Sequence, residues 1–261
     1  MVTFVIKIDA LSFRYRNAAS YALRGISCAV TSAGTTAIVG KSGTGKSTLM
    51  SLISGIYTAR DEIVGEFQGT IAIDGRQPDE LRGPRTVSWV PQQPALLDHL
   101  TVSQNVLLPL SISGVTSEAH ANCLRILTAL DMADRHSARP RELSGGMQTR
   151  ASIARALISS PTYLFLDEPF VSLDIANRWG MYQLLRAERC SEGLCTLLTT
   201  HDIPEALLLA NRVMIIGNSG GATSIEVIEN KPFDLEAGSM PDLLSEARTR
   251  APDIERRIYS S

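Results

Sequence analysis

Short apolar runs and alternating segments divide the chain into strand-like and helix-like parts. A continuous apolar run at residues 163–166 indicates a strand buried on both faces of a parallel sheet, and further strands are predicted at the largely apolar segments 36–39, 194–199 and 212–216. Residues 3–37 alternate between apolar and polar side chains, which predicts a partly antiparallel sheet. Further strands are predicted at 68–75, where an Asp-Gly turn closes the strand, and at 87–90.

The middle of the chain, residues 99–157, shows helical periodicity and no strand pattern. Hydroxyl side chains suited to capping helix N-termini are found at Thr101 or Ser103 and at Thr116 or Ser117. Further helices are predicted at 177–188 and 240–258. The alternation of strands and helices predicts an α/β protein that carries a helical subdomain.

A glycine-rich loop, here called the phosphate loop, joins the strand at 36–39 to a helix-like run. It reads GKSGTGKST at residues 40–48 and contains Gly-x-x-x-x-Gly-Lys-Ser. Glycines let backbone N–H groups approach phosphate oxygens, and the following helix N-terminus adds to the attraction. Lys46 is expected to reach the β- and γ-phosphates, and the Ser47 hydroxyl to bind Mg²⁺. The predicted nucleotide contacts in this loop are Gly40, Ser42, Gly43, Thr44, Gly45, Lys46, Ser47 and Thr48.

Two acidic residues, Asp167 and Glu168, follow the apolar run at 163–166. They lie at the carboxyl end of a predicted strand, where open α/β sheets bind ligands. Asp167 is suited to holding Mg²⁺, directly or through water, and Glu168 to polarising an attacking water. The alternative is a solvated acidic pair at a strand end, and the phosphate loop in the same chain favours the catalytic interpretation.

The sequence LSGGMQ at 143–148, here called the signature, completes a set of motifs that resembles the nucleotide-binding subunits of ATP-binding cassette (ABC) transporters. The resemblance covers roughly residues 3–217, with the motifs in the family's order and spacing. It implies a P-loop NTPase fold, in which a RecA-like core carries an antiparallel β subdomain and an inserted α-helical signature subdomain. The implied domains are an ATP-binding core at 1–92 and 158–218, the signature subdomain at 93–157 and a C-terminal tail at 219–261.

The resemblance gives further residues a role. Tyr15 is expected to stack on adenine, although it could also be an ordinary strand aromatic. Gln92 is expected to contact Mg²⁺ and the attacking water, and His201 to bind the γ-phosphate. The D-loop, residues 172–174, contributes Asp174. The implied catalytic residues are Glu168, His201, Gln92 and Lys46, and the implied Mg²⁺ ligands are Ser47, Gln92 and Asp167.

The signature resembles a second anion site, because a serine, two small residues and a helix N-terminus occur together. By resemblance, this site closes over the ATP of a partner subunit arranged head to tail, through Ser144, Gly145, Gly146 and Gln148. ATP then bridges two subunits and hydrolysis releases them. Thr149 departs from the family, in which many members have a second Gln, and it lies beyond the expected phosphate contacts.

Composition and charge narrow the functional classes. A chain of 261 residues with 44% hydrophobic residues suits one α/β domain with a subdomain, and a net charge of −2 gives no indication of nucleic-acid binding. No apolar run approaches the ~18–20 residues of a bilayer span, and the first residues lack a signal-peptide pattern. Four cysteines without C-x-x-C spacing are expected to be free thiols. Together with these features, the resemblance implies a peripheral protein at the cytoplasmic face of the inner membrane.

Two motifs resemble bacterial solute importers, namely DEPF-x-x-LD at 167–174 and HD-x-x-EA at 201–206. The residues after Gly217 are too few for a regulatory β-barrel, and their helix-like end resembles nitrate, sulfonate and taurine importer ATPases. The implied partners are a second copy or a homologous ATPase subunit, a transmembrane permease and, indirectly, a solute-binding protein. Apolar residues in the loop at 93–101 suggest that it docks the permease. The alternatives are a lipoprotein-release or macrolide-type exporter and a soluble, non-transport ABC ATPase.

Overall fold

The computed structural model describes residues 5–31, 34–57, 64–81, 83, 85–111, 114–192, 194–219, 222–235 and 238–260. The strands are β1 (Val5–Tyr15), β2 (Leu23–Thr31), β3 (Thr35–Val39), β4 (Gly65–Ile73), β5 (Val87–Val90), β6 (Tyr163–Asp167), β7 (Cys195–Thr199), β8 (Arg212–Ser219) and β9 (Ala222–Glu229). The α-helices are α1 (Lys46–Ile53), α2 (Val102–Leu107), α3 (Ser117–Ala129), α4 (Gly145–Leu157), α5 (Ile175–Glu192), α6 (Ile203–Leu209) and α7 (Met240–Ser260). No described helix is both long enough and apolar enough to cross a membrane.

The chain forms two compact units, one from residues 1–82 and 195–261 and the other from residues 83–194. These boundaries differ from those of the domains that the sequence predicts. The predicted domains follow the positions of the motifs, whereas the two units follow the contacts between residues. The predicted domain boundaries therefore stay a prediction.

The first unit contains two groups of strands. One group is antiparallel in the order β2-β1-β4, as the alternating pattern predicts. Its first strand begins at Val5 among the described residues, and residues 1–4 lie outside them. In the other group β3 is parallel to both β7 and β8, and β9 is antiparallel to β8. All residues of β3 and β7 are buried, the threonines included, as expected for strands covered on both faces of a parallel sheet.

An irregularity in β1 sets the direction of its last side chains. Ile8 is buried, and the pairing with β2 then shifts before Leu11, next to Ala10 with a positive φ of 48°. A bulge of this kind changes which alternate residues face the core. After it the buried apolar residues are Leu11 and Phe13, so Tyr15 lies on the core side of the strand.

The second unit combines a parallel strand pair, β5 and β6, with the helices α2 to α5. Helix α4 packs against α2, α3 and β5. Thr101 and Thr116 are the N-caps of α2 and α3, and their side chains accept hydrogen bonds from Gln104 N and Ala119 N. Each is therefore the first of the two cap candidates that the sequence offers.

The C-terminal part of the first unit contains two elements that the sequence analysis did not predict, α6 and β9. The predicted last helix is present as α7, and its buried residues recur every three or four positions: Met240, Leu243, Ala247, Ala251, Ile254 and Ile258. This stripe packs against α6 and β8. Strand β9 and helix α7 therefore belong to the first compact unit.

Candidate functional site

The phosphate loop between β3 and α1 has a backbone that requires glycine at three positions. Gly43 and Gly45 have φ values of 80° and 92°, which residues with a Cβ rarely adopt. A Cβ on Gly40 would lie 2.3 Å from the backbone oxygen of Ile216 in β8. The glycines therefore allow both the tight turn and the close passage of the loop beside the sheet.

Lys46 lies inside this loop with only 7% of its surface exposed. Its Nζ donates hydrogen bonds of 2.9 Å to the carbonyl oxygens of Gly40 and Lys41. The Thr44 hydroxyl donates to the same Lys41 carbonyl at 2.9 Å, and Ser47 is exposed in the first turn of α1. A positive charge at a helix N-terminus favours an anion, so the residues present suit a polyphosphate.

Tyr15 is held beside α1 by a hydrogen bond of 2.9 Å between its hydroxyl and Thr48 Oγ1. Its ring lies edge-on to Phe13, with centroids 4.9 Å apart, and edge-on to Tyr57 at 6.3 Å. Burial, and to a smaller extent the nearby Tyr15, raises the pKa of the Tyr57 hydroxyl. The structure therefore adds Tyr57 as a neighbour of Tyr15. The contact of Tyr15 with adenine stays a prediction.

His201 is exposed on a turn that a hydrogen-bond network fixes. Glu205 is buried and accepts a hydrogen bond of 2.6 Å from Thr200 Oγ1. Asp202 caps α6 by accepting from Glu205 N at 3.0 Å, and its own N–H donates to Thr200 Oγ1 at 3.0 Å. The Asp and Glu of the HD-x-x-EA motif thus determine the conformation of the turn that carries the histidine.

A cavity of about 470 Å³ brings His201 together with the start of the phosphate loop in the first unit. Residues 40–42 form one side of this cavity, and residues 201–204 form another. A γ-phosphate bound at the loop would therefore be within the same space as the histidine. The role of His201 as a phosphate ligand stays a prediction.

In the second unit the structure brings Gln92 and Glu168 into contact. Gln92 Nε2 donates a hydrogen bond to Glu168 Oε2 at 3.3 Å. Asp167 ends β6 and is buried, whereas Glu168 follows the strand with a positive φ of 46°. Positive φ is uncommon for residues other than glycine and is found at functional sites.

The signature forms the exposed N-terminus of helix α4. Ser144 is its N-cap and accepts a hydrogen bond of 3.3 Å from Met147 N. Ser144 and Gly145 are exposed, and a Cβ on Gly145 would meet no atom within 4 Å. Gln148 turns back and donates from Nε2 to Pro140 O at 3.0 Å. The helix end is therefore accessible to a ligand, and Gln148 supports the segment that precedes it.

Thr149 connects the signature helix to the D-loop, a role that the sequence analysis did not give it. Its hydroxyl lies 2.9 Å from the Ser172 hydroxyl, and a Cβ on Gly146 would come within 2.9 Å of Ser172 O. Asp174 in the same loop caps α5 by accepting from Asn177 N at 2.9 Å. Where many family members have a second Gln, this chain thus has a threonine, whose hydroxyl contacts the D-loop.

The loop at 93–101, which the sequence suggests as a docking surface, is fixed from inside the second unit. Asn105 has no exposed surface; it accepts from Leu97 N at 2.8 Å and donates to Leu97 O at 3.1 Å. Arg155 donates to Ala95 O at 2.7 Å, and burial lowers the pKa of its guanidinium. Leu97 remains 39% exposed on the outer side.

Comparison with known proteins agrees with this geometry. The ABC transporter family profile matches residues 23–171. The formylaminopyrimidine import ATP-binding protein ThiZ of Halalkalibacterium halodurans is 36% identical over 230 residues, which cover 87% of this chain and 86% of that protein. The aliphatic sulfonates import ATP-binding protein SsuB 1 of Streptomyces avermitilis is 34% identical, covering 82% of this chain and 74% of its own length.

Two solved structures of the cassette MJ0796 have the same fold. One is a dimeric post-hydrolysis state bound to ADP and Pi, with a TM-score of 0.73, and the other is a dimeric bacterial ABC transporter cassette, with a TM-score of 0.74. Both are 25% identical and cover 87% of this chain and 100% of the MJ0796 chain. The predicted fold class, a P-loop NTPase with a helical signature subdomain, is confirmed. This chain belongs to the ABC transporter family of ATP-binding cassettes.

Proposed function

We propose that this chain is the ATP-hydrolysing subunit of a bacterial solute importer. It dimerises when it binds ATP and powers import through a separate membrane permease. The observation that carries the proposal is the presence of two helix N-termini suited to anions on one chain, the phosphate loop around Lys46 and the exposed helix end at Ser144. Two such sites suit an ATP molecule that is held by one copy and covered by another.

In the proposed mechanism, side chains of this chain bind ATP and activate the attacking water. Lys46 and the loop N–H groups hold the β- and γ-phosphates, and Tyr15 contacts the adenine. Glu168 orients the attacking water and accepts its proton, while Gln92 fixes the carboxylate through its hydrogen bond. His201 donates a hydrogen bond to the charge that develops on the γ-phosphate.

A second copy completes the site. Ser144, Gly145, Gly146 and Gln148 of that copy cover the γ-phosphate, and the D-loop with Asp174 accompanies them. Release of phosphate removes the anion that both copies share, so the dimer separates. The dimeric cassette structures support this cycle.

The residues assigned to Mg²⁺ are Ser47, Gln92 and Asp167. They offer a hydroxyl, an amide carbonyl and a carboxylate, which are the oxygen ligands that Mg²⁺ prefers. When bound, the ion neutralises charge between the β- and γ-phosphates. Ser47 is exposed and Asp167 ends a buried strand, so both stand at element termini that suit ligand contact.

Several relatives support import over export, because their names describe import ATP-binding proteins. The subunit is placed at the cytoplasmic face of the cell membrane, bound to a permease that receives its solute from a binding protein. The loop at 93–101 provides the docking surface, with Leu97 facing outward. The identity of the solute is determined by the permease and the binding protein.

The test combines hydrolysis with transport. The purified chain should release phosphate from ATP, and vesicles that contain it with a permease encoded beside its gene should take up solute only with ATP. Vesicles with Glu168→Gln should bind the subunit but take up no solute. ATP-driven efflux would instead support the exporter alternative, and hydrolysis without permease binding would support a soluble ATPase.

A further inference from the structure

The short helix α6 connects the turn of His201 to the C-terminal part of the chain. It has only seven residues and begins directly after its N-cap, Asp202. A helix of this length is not stable by itself in water, so its position depends on contacts with its surroundings. Hydrogen bonds that involve Thr200 and Glu205 fix its first turn. Contacts at its last turn therefore also help to determine where His201 lies.

The side chain of Asn230, which follows β9, caps the C-terminal end of α6. Its Nδ2 donates hydrogen bonds to Leu207 O at 3.0 Å and to Ala210 O at 2.6 Å. Its backbone N–H donates to Asn211 O at 2.7 Å, which attaches it to the connection between α6 and β8. Carbonyl oxygens accept only from the amino half of an amide, so the amide oxygen of Asn230 is left to accept from another donor.

Arg250 of α7 is that donor. Its Nη2 donates to Asn230 Oδ1 at 2.8 Å, and its Cζ lies 4.9 Å from the centre of the Phe233 ring. The charged hydrogen bond and the cation–π contact both orient the guanidinium. A positive charge near a helix C-terminus is also favourable. Arg250 therefore connects α7 to the last turn of α6 through a single amide.

Helix α7 supports α6 along its length as well. Its buried stripe packs on α6. Near its end, Glu255 and Ile258 line the cavity that also contains His201 and the start of the phosphate loop. The sequence motifs give residues 219–261 no role, and these contacts supply one.

We infer that Arg250 and Asn230 are positioning residues for His201. Neither lines the cavity at the phosphate loop, so they act through α6 and not on the nucleotide. The inference rests on the proposed function, in which His201 donates a hydrogen bond to the γ-phosphate during hydrolysis. A displacement of about 1 Å can lower a rate by about 100-fold, so a loosened α6 lowers kcat while the phosphate loop still binds ATP.

The first experiment measures steady-state phosphate release by the purified chain. Arg250→Ala should lower kcat about 3- to 10-fold and change the KM for ATP less than about twofold, because only the support of α6 is lost. Asn230→Asp keeps the acceptor for Arg250 but places a carboxylate oxygen against the two carbonyls of α6, so kcat should fall about tenfold or more. Arg248→Ala changes an exposed arginine of the same helix and should keep the parental kcat.

A second experiment observes the histidine itself by NMR of the imidazole Cε1–H groups in the Glu168→Gln chain. The chain has four histidines, and His201→Ala identifies the signal of His201. ATP should shift this signal in the parent, and Arg250→Ala should reduce the shift by at least about half, because the imidazole is no longer held at the phosphate. Urea unfolding shows that each variant is folded at the conditions of measurement.

Each outcome decides the inference. A parental kcat in both Arg250→Ala and Asn230→Asp overturns it and leaves the proposed function intact, as does a full ATP-dependent shift of His201 in Arg250→Ala. An effect on KM with kcat unchanged also overturns it, because the tail would then support nucleotide binding. If His201→Ala releases phosphate at the parental rate, the role of His201 in the proposed function fails and the inference fails with it.

Discussion

Gln92 donates a hydrogen bond of 3.3 Å to Glu168, although 76 residues separate the two in sequence. The pairing of the strands that precede them explains this contact. Val90 is the register partner of Leu166 in the parallel pair of β5 and β6, and each polar residue lies two positions beyond that pair. Parallel strands end on the same side of a sheet, so the amide and the carboxylate must meet there.

We expect Glu168→Gln to lower the rate of phosphate release by about 10²- to 10⁴-fold, the usual contribution of a general base. ATP binding should remain, because the phosphate loop is unchanged. The variant should therefore accumulate as an ATP-bound dimer in size-exclusion chromatography. Glu118→Gln, an exposed glutamate of α3, is the control and should keep full activity. Normal turnover by Glu168→Gln would remove this residue from its assigned role.

Lys46→Ala and Ser144→Arg should separate the two anion sites. Loss of the lysine removes charge-assisted hydrogen bonds, so ATP binding by the monomer should weaken roughly 10- to 100-fold. Ser144→Arg should leave monomer binding near normal and prevent ATP-driven dimerisation, because its bulk fills the space that must close. Ser144→Ala controls for the lost helix cap, which costs ~1 kcal/mol. Equal loss of ATP binding in Lys46→Ala and Ser144→Arg would contradict the head-to-tail dimer.

Thr149→Val should destabilise the second unit by about 0.5–1.5 kcal/mol, because it removes the hydroxyl contact with Ser172. Thr149→Ser retains the hydroxyl and should preserve both stability and ATP hydrolysis. Urea unfolding measures the first effect and phosphate release the second. If the Val and Ser variants behave alike, the hydroxyl contact has no measurable role.

Leu97→Asp should abolish binding to the permease and leave basal ATP hydrolysis unchanged. An unpaired charge in a packed interface costs several kcal/mol, ~3–5 by analogy with broken buried pairs, and almost nothing on an open loop. Leu124→Asp is a matched control, since Leu124 is the more exposed leucine, at 53%, and lies on α3. Co-purification with the permease provides the measurement. A Leu97→Asp subunit that still co-purifies would place the docking surface elsewhere.

Burial raises the pKa of the Cys28 thiol from 9.0 to about 11. The thiolate is the reactive form, so iodoacetamide should modify Cys28 slowly near neutral pH in the folded chain. The folded chain also retains a proton that the unfolded chain releases at lower pH. The resulting contribution to stability is complete below pH 9.0 and declines as the pH rises towards about 11. Mass spectrometry of the labelled chain, with a urea-unfolded control, tests the first statement, and urea unfolding at pH values from about 8 to about 11 tests the second.

Local sequence patterns predicted the elements in which a hydrophobic pattern extends over many residues and those that stand beside a specific motif. The strands β6, β7 and β8 were predicted because their sequences are largely apolar. Strand β9 was missed, although Ile225 and Val227 alternate with Glu226, because the residues beyond 218 were interpreted as a tail with a helical end. Helix α6 has only seven residues, which is too short for a clear helical period.

The composition of the candidate site followed from motifs, but its contacts depended on tertiary structure. Nothing in the local sequence shows that Thr149 reaches Ser172, or that Glu255 of the last helix lies at the phosphate loop. These contacts join segments that are distant in sequence, so only the register of strands and the packing of helices determines them. The roles of Glu168, Lys46 and Ser144 are predictions that the experiments above test.

Asn105 has a consequence for the thermodynamics of assembly. It satisfies backbone groups of residues 97, 100 and 101 from within the unit, so this stretch of the loop is already ordered before any permease arrives. Binding of a permease to this loop would then lose little conformational entropy, because the loop does not have to fold on binding. In the proposed complex, a preorganised surface of this kind should bind the permease as a rigid body.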